Sequence, residues 1–182
     1  MWNNSVHRLL ISLALVAAAF PSLTAAQGFD VGKLYAGAGL SQNRITGSMS
    51  GVGKSGAALG VQAFAGYQFA EVIPKLHIDG EVGYLDSGDM KTDVTACGPI
   101  VGCVTTTVKT RAKGPWVTGV VRYMISPNIL AIGRAGHDFG DDNGFMFGAG
   151  IGFILTRKLT ARLEFVERQN TQSLQANAVL RF

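Results

Sequence analysis

Apolar and polar positions alternate with a period of two in eight separate stretches of the chain. In the last, residues 173–182, Leu174, Ala176, Ala178, Leu180 and Phe182 share one face, while Ser173, Gln175, Asn177 and Arg181 share the other, with Val179 the apolar exception. Such alternation predicts a strand. The same pattern occupies residues 33–42, 57–69, 76–84, 116–125, 129–139, 145–155 and 160–165, and is weakest over 129–139. Over 145–155 it is strongest: Phe145, Phe147, Ala149, Ile151, Phe153 and Leu155 stand against Met146, Gly148, Gly150 and Gly152.

A strand of a soluble sandwich alternates too, but its apolar face looks at a core of larger Val, Ile and Leu. An apolar-out, polar-in strand of about ten residues that ends on an aromatic suits the closing strand of a membrane barrel, which must leave no unpaired edge in lipid. Short turns are expected at 71–75, around Pro74, at 126–128 and at 156–158; exposed loops are expected at 44–56, 86–111, 141–144 and 169–172. Residues 86–111 read as the longest irregular segment. Tyr67 and Phe69 fall where the lower aromatic girdle belongs. The fold class is all-β, an eight-stranded antiparallel up-and-down transmembrane β-barrel.

Composition agrees. The 182 residues include 24 Gly, which let strands curl around a narrow lumen. Residues 1–26 carry Arg8, an apolar run over 9–20 and small residues at Thr24, Ala25 and Ala26, the signature of a secretory signal peptide cut near Ala26. The run is too short to span a membrane as a helix, which takes about twenty residues. Residues 27–182 then form one barrel domain, exported through the periplasm to the outer membrane. A formal charge of +4 is modest, and fits either a solvated surface or attraction to lipopolysaccharide phosphates, with no indication of nucleic acid.

Six short motifs in this order and parity, Lys33-Leu-Tyr-Ala-Gly-Ala-Gly-Leu40, Ala63-Phe-Ala-Gly-Tyr-Gln68, Gly80-Glu-Val-Gly-Tyr84, Phe147-Gly-Ala-Gly-Ile-Gly-Phe153, Ala161-Arg-Leu-Glu-Phe165 and Leu180-Arg-Phe182, are similar to the transmembrane domain of the outer-membrane protein A family. The resemblance covers nearly all of residues 27–182. It implies a lumenal Arg/Glu cluster, with Glu81, Arg162 and Glu164 on matching motifs, and a chain ending without the peptidoglycan-binding domain of full-length members. Fold does not fix function, so the chemistry must be read from residues.

Parity and strand direction put Asp79, Glu81, Arg122, Arg134, Arg162 and Glu164 at one level inside the barrel. In so narrow a lumen these charges must pair, as a structural plug or as the gate of a narrow ion-conducting pore. Cys97 and Cys103, in an oxidising compartment with no His nearby, predict a disulfide and no metal site. Lys91, Lys109, Arg111 and Lys113 make the segment from 86 to 113 a candidate surface-binding loop for a host or surface ligand of anionic character. His137 is the one candidate base for a lipid A-modifying enzyme, but Phe139 stands where a serine would share its face, so no catalytic residue and no cofactor is assigned. His77 reads as a lumenal hydrogen-bonding residue. The expected partners are outer-membrane lipid, lipopolysaccharide and, through the closing strand, the barrel-assembly machinery.

Overall fold

The computed structural model describes residues 30–46, 52–98 and 102–182. The leader and its cleavage point lie outside the described residues. Of the N-terminal unit, which ends at Gly32, only residues 30–32 are described, opening a single 3-10 turn over Val31–Lys33.

In the second unit eight strands close into an antiparallel barrel: β1 (Leu34–Ile45), β3 (Ala58–Ile73), β4 (Leu76–Asp86), β7 (Lys113–Ser126), β8 (Ile129–Asp138), β9 (Gly144–Ile154), β10 (Leu159–Glu167) and β11 (Thr171–Arg181). Each pairs with its sequence neighbour around the barrel, and β1 pairs with β11 from Tyr35↔Arg181 to Ile45↔Thr171, so no edge remains. The expected parity holds on every strand. Leu59 and Phe145 are 70% exposed on the outside, whereas Glu81, Glu164 and Gln175 are buried inside. The apolar belt therefore faces outward and the polar residues inward, the reverse of a soluble domain.

The lumen is filled. Tyr35, Phe64, Leu85, Trp116, Met146, Val166 and Val179 form one buried cluster, and Val120, Leu130 and Ile132 another. Aromatic and glycine positions interlock across β1 and β3: Tyr35 pairs with Gly66 and Phe64 with Gly37. A Cβ on Gly66 would run into the Tyr35 ring, so the glycine is what admits the tyrosine.

The segment expected to be irregular is not. Residues 86–113 contain β5 (Met90–Gly98) and β6 (Gly102–Thr110), an antiparallel hairpin, and part of the loop expected over 44–56 is β2 (Val52–Ser55), which pairs with β5. A second, three-stranded sheet in the order β2-β5-β6 thus stands at the long-loop end. Its β-branched valines and threonines favour extended backbone. The polar turns are also tighter than expected, because β3 runs on to Ile73 and leaves only Pro74 and Lys75 between strands.

Candidate functional site

Four strands deliver the acids and arginines that converge at mid-lumen: Asp79 and Glu81 stand on β4, Arg122 and Arg134 on β7 and β8, and Arg162 and Glu164 on β10. All six are buried. Glu81 is the hub. Its Oε1 accepts from Arg162 Nη1 at 2.6 Å and its Oε2 from Arg134 Nη2 at 2.9 Å. Arg134 also lies 2.7 Å from Glu164 Oε2, an ion pair not aligned as a hydrogen bond, and Arg162 lies 4.0 Å from Glu164 Oε1. Asp79 takes a two-point contact from Arg122, through Nε and through Nη2, the latter at 2.9 Å.

Sequence reasoning missed the residue that joins the two halves. The Tyr35 hydroxyl lies 2.8 Å from Glu81 Oε1 and 3.0 Å from Asp79 Oδ2, so its proton is shared between the two carboxylates. The Tyr35 ring also lies under the guanidinium groups of Arg162, at 5.3 Å, and Arg122, at 5.6 Å, while Arg134 sits 5.5 Å from the Trp116 ring. Three carboxylates and three guanidinium groups, all buried, thereby neutralise one another, the condition under which buried charge is tolerated. Below them Gln68 accepts from Arg122 at 3.2 Å and lies 3.1 Å from His77 Nδ1, the lumenal place expected for His77.

A second buried cluster sits toward the long-loop end. Arg168 donates to Asp138 at 3.0 Å and to Ser173 at 2.9 Å, and Ser173 donates to Asn43 at 2.6 Å. Asp142 accepts from the backbone of Asn170 at 2.8 Å and from the Thr171 hydroxyl at 2.5 Å, tying two upper turns together. Arg168 shares parity with Arg162 and Glu164, so extending the expected strand by three residues finds it.

At the level of the network the lumen is filled by buried side chains. Planar-bilayer recordings of the folded protein are expected to show no stepwise conductance, and Arg162→Ala, which frees Glu81 on one side, is expected to raise it; large steady channels from the unaltered protein would overturn the sealed reading.

On the outside, His137 packs between Phe139 and Phe145, with ring centroids 4.7 and 5.6 Å away, as part of an aromatic rim. Beyond the barrel, the paired register sets Cys97 opposite Cys103 and Lys91 opposite Lys109. Thr107 donates to Asp93 at 2.7 Å and Thr95 meets Thr105 at 2.9 Å on that same face. Arg111 is not a free cation. It grips Asp86, with Nε at 2.7 Å, and this hydrogen bond raises the guanidinium pKa above its ordinary value. Lys113 opens β7, in register with Asp86.

The family model described as outer membrane protein beta-barrel domain matches residues 11–182. Among solved structures, Ail, the attachment invasion locus protein of Yersinia pestis, in complex with the heparin analogue sucrose octasulfate, is 12% identical; the match covers 82% of this chain and 97% of that one, with a TM-score of 0.50. A de novo designed transmembrane β-barrel is 18% identical over 85% and 98% of the two chains, with a TM-score of 0.48. Neisserial surface protein A is 11% identical over 82% and 97%, with a TM-score of 0.38. No curated protein matches the sequence.

Proposed function

Since the chain belongs to the outer membrane protein beta-barrel domain family, we propose that it is a non-catalytic barrel of the outer membrane whose extracellular sheet makes contact with an anionic surface ligand. The observation that carries this reading is the β2-β5-β6 sheet. A bare barrel needs only short connections, yet here a hairpin extends its pairing from Met90↔Thr110 to Gly98↔Gly102, with β6 exposed along its length. Like charges directly opposite one another cost stability, and Lys91 faces Lys109 in the ladder. A polyanion bridging the two ammonium groups offsets that cost. A Cys97–Cys103 disulfide would hold the hairpin ready for a partner, so that little entropy is lost on binding.

The same reading extends to the membrane, the leader and the closing strand. The exposed aliphatic and aromatic belt contacts lipid, the signal peptide is removed near Ala26, and lipopolysaccharide lies against the upper rim. The barrel-assembly machinery engages the closing strand through Leu174, Ala176, Ala178, Leu180 and Phe182. A gated pore is the weaker reading, because the charge network is neutral and lies beneath a packed aromatic layer.

Sucrose octasulfate, the molecule bound in the Ail complex, is a suitable probe. Folded protein is expected to bind it with an affinity that falls as salt rises. Lys91→Glu with Lys109→Glu should raise Kd by about tenfold, the 1.4 kcal/mol expected from a close charge contact. Cys97→Ser with Cys103→Ser should weaken binding while the barrel stays folded. Equal binding by all three proteins would leave only a structural role.

A further inference from the structure

At the short-turn end of the barrel the lumen opens into a cavity of about 90 Å³. Its floor is the underside of the charge network, with Arg122, Arg162 and Tyr35, and its rim carries Arg157 and Lys158 from the β9–β10 turn and Arg181 from the end of β11. Five cations therefore line it, and no Asp or Glu stands among its described lining residues.

The charge balance above the floor closes without the rim, because Asp79, Glu81 and Glu164 are already matched by Arg122, Arg134 and Arg162. Arg157, Lys158 and Arg181 make no ion pair among the described residues. Gathered at one mouth, they repel one another, and a multivalent anion between them relieves that repulsion. The seat is also fixed in place. The Arg181 amide donates to the Lys158 carbonyl at 2.8 Å, which ties the end of β11 to the turn bearing two of the three cations. Arg162, though buried, keeps its Nε donor without a partner among the described residues.

We propose that this mouth is a binding site for a phosphate-type oxyanion, held by Arg157, Lys158 and Arg181 above the guanidinium of Arg162. Guanidinium groups present paired N–H donors that match the oxygens of a phosphate, and an ammonium group adds a point charge. The cavity has the volume of about three waters, enough for a single headgroup-sized anion and too little for a polysaccharide chain. The site is distinct from the extracellular sheet in position, ligand size and residues. Both a free phosphate and the phosphate of a lipid headgroup reaching around the rim present this chemistry.

Calorimetric titration of the folded, full-length barrel in a neutral detergent with inorganic phosphate and pyrophosphate tests it. Saturable binding is expected, with Kd raised at least tenfold by Arg181→Gln and by Arg157→Gln with Lys158→Gln. Because Arg157 and Lys158 are exposed in a turn, that pair of changes leaves the strands intact, and heat-modifiable migration verifies the fold. Lys91→Glu with Lys109→Glu should leave phosphate binding unchanged, which separates this site from the surface-ligand reading. Repeating the titration in phosphatidylcholine nanodiscs, whose surface has no net charge, identifies the source: a Kd unchanged from the phosphate-free neutral detergent assigns a free anion, and a Kd raised in the nanodiscs assigns a competing lipid headgroup phosphate. Absence of saturable binding, or rim variants that bind as well as the parent, overturns the proposal.

Discussion

Replacing Glu81 with Ala is expected to destabilise the barrel by about 3–5 kcal/mol, because it strands two buried guanidinium groups at once. Glu81 accepts from Arg162 and Arg134 and shares the Tyr35 proton, so no other acid reaches as many partners. Glu164→Ala should cost less, since Arg162 lies 4.0 Å from Glu164 and keeps Glu81, as does Arg134. Tyr35→Phe should fall lower still, at about 1–3 kcal/mol for two carboxylates that lose one donor. Urea unfolding in detergent, followed by the loss of heat-modifiable migration, ranks the three variants. Equal losses for Glu81→Ala and Glu164→Ala would show that the network has no hub.

Gly39→Val should prevent closure altogether. Gly39 lies opposite Asn177 where β1 meets β11, and a Cβ there would collide with the Ala176 carbonyl and with the Asn177 backbone. The clash is with backbone on the seam itself, so the two strands must part and give up ladder hydrogen bonds; overpacking alone costs about 1–3 kcal/mol. Gly133 supplies the control, because a Cβ on it meets nothing within 4 Å. Gly133→Val is expected to keep the compact, fast-migrating band that Gly39→Val loses. If both fold, the seam is looser than its geometry implies.

The barrel was legible because strand parity is a strict code: once Leu174 is outside, Gln175 must be inside, and the same rule carried all six network charges to the lumen. Contacts across the barrel were not legible. Tyr35 joins Asp79 and Glu81 only because the sheet curls so tightly that β1 and β4, the two neighbours of β3, turn their inner faces toward each other, and no local pattern encodes that distance. Arg168 escaped for a simpler reason, since a polar residue at a strand end looks like the start of a loop. The β5–β6 hairpin reads as irregular in the sequence because threonine occupies both of its faces, as at Thr92 and Thr95, and blurs the apolar–polar contrast that marks a strand. The surface cations show the limit from the other side: Lys91 and Lys109 are exposed as expected, but Arg111 is occupied by Asp86.

The inverted distribution of polarity also governs how such a chain can travel. A protein bound for the outer membrane must first pass through another bilayer, where a run of about twenty apolar residues would be held as a stop-transfer helix. No helix among the described residues is long and apolar enough to cross a membrane. On β9 Phe145, Phe147 and Ile151 are each followed by Met or Gly, and on β11 each Leu or Ala by Gln, Asn, Val or Arg, so sequential segments stay too dilute in apolar side chains to lodge on the way. The affinity for lipid is latent in every second residue, and it is assembled into a continuous belt only when the first strand meets the last.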